Sequence, residues 1–95
     1  MIYEGRDGEV AVDGFPLDLR LDLANHSPTG FSWGYDGSGP AQLALAILAD
    51  CCGDEFALDN YQDFKREVIA GFGQSEPLIL TKEEVEKWAD RRKTG

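Results

Sequence analysis

From Pro40 to Cys52 the chain reads PAQLALAILADCC, and Gln42 and Asp50 are the polar side chains in it. A helix that is apolar all round has no stripe to offer water and must be covered on every side. In a chain of 95 residues such a helix has to be the centre of the fold. Gly37-Ser38-Gly39-Pro40 opens it, with Ser38 at the N-cap or just before it and Pro40 in the first turn. Gly53 closes it. Its apolar stretch from Leu43 to Ala49 falls far short of the roughly 20 residues that a membrane span requires. The whole chain, 1–95, is expected to be a single domain, with a frayed tail at about 92–95.

The rest must supply the cover. Ile2 to Arg6 and Glu9 to Val12 flank Asp7-Gly8, and Asp13-Gly14 leads into Phe15-Pro16-Leu17. Asp-Gly supplies the positive φ angles of a two-residue hairpin turn, so these pieces read as an antiparallel meander. Pro16 cannot donate to a ladder and belongs at an edge. Leu19, Leu21 and Leu23 alternate with polar residues, and Phe31, Trp33 and Tyr35 alternate with Ser32 and Gly34. Both runs read as short strands. Asp54 opens a second helix that reaches about Ala70, with Ala57, Tyr61, Phe64 and Val68 as its apolar stripe. Leu78 to Leu80 reads as a further strand, and Thr81 with Glu84 matches a capping box for a third helix. The expected class is α+β: a small N-terminal antiparallel sheet of three to five strands packed against about three helices, the helix from Pro40 at the centre.

Charge narrows the function. Acids outnumber bases 18 to 9, for a net charge of −9 and a pI near 4.3. Direct nucleic-acid binding needs clustered Lys and Arg and is excluded as an expectation, as is docking on an anionic membrane. No cationic stretch followed by an apolar run begins the chain, so no signal peptide is read. The two cysteines, Cys51 and Cys52, are adjacent. Adjacent cysteines bridge poorly, and two cysteines with one histidine make no zinc cage, so a reduced, cytoplasmic protein without metal or cofactor is expected.

Between Arg20 and Lys65 lie the acids Asp22, Asp36, Asp50, Asp54, Glu55, Asp59 and Asp63, with no cation among them. Glu55, Asp59, Asp63 and Glu67 step by four residues, opposite the apolar stripe, at about 6 Å per step. Like charges at this spacing repel, and a row of them coarsely imitates a row of phosphates about 3.4 Å apart. Glu55, Asp59, Asp63, Glu67, Asp54 and Asp50 are therefore the candidate partner-binding residues. Phe31, Trp33 and Tyr35 read first as core aromatics and, with Asp36, form a second candidate surface. His26, Ser27 and Asp22 are the residues of a minor hydrolase reading. Against it, adjacent His26 and Ser27 point apart on an extended chain, and turn hydrogen bonds before Pro28 suit them better. Gly34 to Gly39 lacks the spacing and the lysine of a phosphate loop.

The block Asn25-His26-Ser27-Pro28-Thr29-Gly30-Phe31-Ser32-Trp33-Gly34-Tyr35-Asp36-Gly37-Ser38-Gly39-Pro40-Ala41-Gln42-Leu43-Ala44-Leu45-Ala46-Ile47-Leu48 is distinctive, with Tyr3-Glu4-Gly5-Arg6 before it and Tyr61-Gln62-Asp63-Phe64-Lys65 after it. It resembles a domain family of unknown function found as small stand-alone proteins in bacteria, archaea and mobile elements. The resemblance runs roughly from Tyr3 to Trp88, supports those boundaries and implies no activity. Small size, acidity and the mobile-element connection are similar to phage anti-CRISPR proteins that mimic DNA. The expected function is a non-enzymatic acidic inhibitor that occupies a basic, nucleic-acid-binding surface of a host defence protein. An accessory or antitoxin-like interaction module is the alternative.

Overall fold

In a computed structural model, which describes residues 1–94, the elements are β1 (Ile2–Arg6), β2 (Glu9–Val12), β3 (Phe15–Pro16), α1 (Ser38–Cys52), α2 (Asp54–Glu67), a 3-10 turn (Ile69–Gly71), β4 (Leu78–Thr81) and α3 (Lys82–Thr94). The four strands form one antiparallel sheet in the order β3-β2-β1-β4, and with the helices it makes a small α+β fold. Gly95, the last residue of the expected tail, lies outside the described residues.

Both Asp-Gly pairs do what their composition requires. Asp7 and Gly8 have φ of 55° and 83°, and Asp13 and Gly14 have 50° and 87°. Two successive positive φ angles match the twist of the flanking strands. Along β1, Tyr3 and Gly5 face the helices while Ile2, Glu4 and Arg6 face away. Gly5 has to be glycine, because a Cβ there would lie 2.7 Å from Cη2 of Trp33.

The central helix is as buried as its sequence demands. Leu43 to Leu48 are completely buried in α1, and α2 is its principal neighbour. Phe64 of α2 meets Trp88 of α3 edge to face at 5.0 Å between ring centroids. At the start of α3, the Glu84 amide donates to Thr81 Oγ1 and the Thr81 amide donates to Glu84 Oε1, both at 3.1 Å. That is the capping box expected there.

Three local expectations are corrected. The runs at Leu19–Leu23 and Phe31–Tyr35 form no strand; the chain from Leu17 to Gly37 is irregular. Arg20 has φ 56° and Gly34 has φ 86°, and a Cβ on Gly34 would lie 2.6 Å from the Gln74 backbone. A left-handed residue in each run breaks the two-residue alternation, so Leu21 and Tyr35 turn outward. The N-cap of α1 is Gly37 rather than Ser38, and that of α2 is Gly53 rather than Asp54. The single residue Gly53, at φ 95°, both ends α1 and begins α2. Finally α2 stops at Glu67, and the 3-10 turn takes the chain through Gly71.

Candidate functional site

The acids of α2 divide into two groups with different surroundings. At the N-terminal end, the Arg20 guanidinium lies between two carboxylates. Its Nε and Nη2 donate to Asp22 at 3.0 Å each, and its Nη1 and Nη2 donate to Asp54 at 2.9 and 2.8 Å. The Arg20 amide also donates to Asp18 Oδ1 at 2.7 Å. Hydrogen bonds from Arg20 hold the carboxyls of Asp22 and Asp54 below the usual range, and the same bonds raise Arg20. Glu55 and Asp59 follow on the same exposed side of α2, and among the described residues neither makes an ion pair. Leu21 and Leu58, 39% and 45% exposed, lie in the same two segments. This end of the molecule is thus an exposed carboxylate cluster with one guanidinium, fully engaged, inside it.

The other end of the stripe is occupied. Asp63 pairs with Arg66 at 3.2 Å and with Arg92. Glu67 lies 3.8 Å from Arg92 and accepts the Trp88 indole N–H at 3.0 Å. The Arg92 guanidinium also sits 5.3 Å from the centroid of Trp88, and Lys93 sits 5.2 Å from that of Phe56. The expectation of a row of mutually repelling charges, relieved only partly by Arg66, is therefore corrected: Arg92 in the last turn of α3, distant in sequence, joins Arg66 at Asp63 and also reaches Glu67. Two further acids counted as unpaired also have partners. Asp36 is 2.6 Å from the mostly buried Lys65, whose hydrogen bond lowers the Asp36 carboxyl. Asp50 accepts the Tyr3 hydroxyl at 2.7 Å. Burial first, and Asp50 second, push the Tyr3 hydroxyl up.

The aromatic segment is split between core and surface. Phe31 and Trp33 are buried, and the Trp33 indole donates to the Glu76 carbonyl at 2.8 Å. Tyr35 is 41% exposed, its hydroxyl 2.8 Å from Ser32 Oγ. Stacking of a base would need faces that Phe31 and Trp33 give to the interior.

His26, Ser27 and Asp22 are not brought together. The His26 Nε2 is 2.8 Å from the Tyr61 hydroxyl, Ser27 Oγ donates to the Gly30 carbonyl at 2.8 Å, and Asp22 is held by Arg20. The residue that organises this loop is Gln42, completely buried. Its Oε1 accepts the amides of His26 and Ser27 at 2.8 and 3.0 Å, and its Nε2 donates to the carbonyls of Leu19 and Ala24 at 2.5 and 3.0 Å. Every hydrogen-bonding position of the amide is used. A lone glutamine in an otherwise apolar helix was the signal for it. Cys51 and Cys52 are free and half-buried, and burial, then Cys52, push the Cys51 thiol up to about 12. Such a thiol stays protonated and unreactive at neutral pH. Among the described residues no group of three or more His, Cys, Asp or Glu side chains is placed to hold a metal, and no helix is long and apolar enough to cross a membrane.

A family model, described as a family of unknown function (DUF6166), matches residues 3–91. No match is found among the curated proteins or the solved structures.

Proposed function

We propose, for a chain that belongs to this family of unknown function, a non-enzymatic binding role carried by the carboxylates at the N-terminal end of α2. The partner is a protein with a basic, nucleic-acid-binding surface. The observation that carries the reading is that Glu55 and Asp59 have no ion pair among the described residues, while Asp22 and Asp54 beside them are held ionised by Arg20. Carboxylates kept charged in fixed positions stand in for phosphates, and a basic groove supplies the missing cations. The contact surface is smaller than a four-acid row, because Asp63 and Glu67 already have Arg92. In its finer form the proposal is an inhibitor of the anti-CRISPR kind, encoded by a phage or mobile element and acting in the host cytoplasm. Small size and the net charge of −9 support that form.

The test is capture of a partner from host lysate at low and at high salt, followed by competition with duplex DNA. The partner should be released by added salt and by DNA, and should be missed by Glu55→Lys with Asp59→Lys. A captured protein that ignores salt and DNA, or that binds the doubly reversed variant equally well, rejects the reading.

A further inference from the structure

The side of the sheet turned away from the helices is uncovered. Ile79 is 61% and Ile2 40% exposed there. The register places Ile79, Glu4, Ala11 and Pro16 in one row across the sheet, with Arg6 opposite Glu9 in the next. Residues of both rows form one side of a groove of about 510 Å³ whose other side is Leu17, Leu19 and the Thr29–Phe31 turn. Glu4, Arg6 and Glu9 form no ion pair among the described residues, whereas Arg20, Lys65, Arg66 and Arg92 all do.

The sheet cannot easily grow at its edges. On β3 the outward position is Pro16, which has no N–H. On β4 the Lys82 amide donates to the Met1 carbonyl, so Leu78 and Leu80 point their backbone groups at β1, and Ile79 and Thr81 point theirs outward. The Thr81 amide is already held by Glu84, and the preceding Pro77 has none. What remains of the sheet for association is its face.

We propose that this face is the contact between two copies of the chain, related by a twofold axis that lies between the two sheets and crosses β1 at Gly5. Glu4 and Arg6 stand on the same face, two residues apart, on either side of that glycine. The rotation therefore lays Arg6 of each copy over Glu4 of the other and Ile79 over Pro77. A wholly basic or wholly acidic partner would meet the wrong sign at one of the two positions. Only a surface with the same alternation, reversed, satisfies both, and the chain's own face is such a surface. Strands of five, four, two and four residues, about 4.8 Å apart and rising about 3.3 Å per residue, span only about 240 Å² in plan. That is well below the roughly 800 Å² per partner of a stable interface, so the dimer is weak and forms at high micromolar concentration. This contact is independent of the acidic end of α2, which lies on another element.

Sedimentation equilibrium of the full chain, from about 10 μM to about 1 mM, tests the proposal in the concentration range where weak dimers dissociate. The mass should rise toward that of a dimer. Glu4→Arg and Arg6→Glu should each weaken association by about tenfold or more, and the two together should restore it to within about threefold. Ile79→Lys should be monomeric, with thermal melts confirming that each variant is folded. A wild type that stays monomeric throughout overturns the proposal, including one whose sheet face captures a different protein or a peptide instead. So does a dimer that survives Ile79→Lys, or a double exchange that fails to recover association.

Discussion

Replacing Gln42 by leucine keeps a side chain of similar size in α1 and removes all four hydrogen bonds that tie the Leu19–Ser27 segment to the core. The amides of His26 and Ser27 are the demanding partners, because an N–H in a part-buried site has few other acceptors. Each buried donor left unpaired costs about 1–3 kcal/mol, so two give about 2–6 kcal/mol, with the carbonyls of Leu19 and Ala24 adding to this. The segment can also lift away and meet water, which limits the loss to the packing it gives up. We expect a destabilisation of about 2–5 kcal/mol, against about 5–15 kcal/mol for a whole domain. Urea unfolding gives the loss. Amide exchange at His26 and Ser27 shows where it arises, since both should exchange faster than the amides of α1. Gln42→Glu refines the test. A carboxylate still accepts from His26 and Ser27 but faces the carbonyls of Leu19 and Ala24 with no donor, so that variant should recover in part when acid protonates it. A leucine variant within about 1 kcal/mol of wild type, with unchanged exchange at both amides, would refute the assignment of Gln42 as the anchor of this loop.

Other outcomes follow from the same contacts. Leu45→Ala and Ile47→Ala, both at completely buried positions, should each lose about 2–5 kcal/mol in urea unfolding. Reversing Glu55 and Asp59 to lysine should leave the melting temperature unchanged or raised, whereas reversing Asp63 and Glu67 should lower it, because those two hold Arg92 and the Trp88 indole. Equal melting temperatures for the two double variants would mean that α3 is not anchored through its last turn. Asp22 and Asp54 have lowered carboxyl pKa values in the folded chain, so their contribution is present above the ordinary carboxylate range and is lost as pH falls through the lowered values. Arg20→Gln should therefore flatten the acid end of the stability profile and leave the two curves converging at the lowest pH. A profile with the wild-type slope would show that Arg20 does not hold them.

The sequence alone determined the elements whose causes are local. A helix with no polar side has one place to go, so α1 was legible as the centre of the fold. Asp-Gly pairs required positive φ angles and gave the meander, and Thr81 with Glu84 marked the start of α3. Gln42 could have been read as an anchor, since the interior of such a helix tolerates a polar side chain only where partners wait for it. Spacing also placed Glu55, Asp59, Asp63 and Glu67 on one side of α2. What spacing could not supply was the charge on the other elements facing them. Arg92 reaches Asp63 across 29 residues and Arg20 reaches Asp54 across 34, contacts that exist only once α1 has brought the segments together. The same holds for the irregular chain between Leu17 and Gly37. Its alternating leucines and aromatics carried a strand's pattern, but a strand also needs a neighbour with free backbone groups. The tertiary structure gave the Leu19 and Ala24 carbonyls to a glutamine side chain and the Phe31 and Gly34 amides to the isolated carbonyls of Gly8 and Ile69, and set Arg20 and Gly34 in the left-handed region. Period-two patterning reports which side chains seek the interior, and the packed neighbours decide how the backbone delivers them.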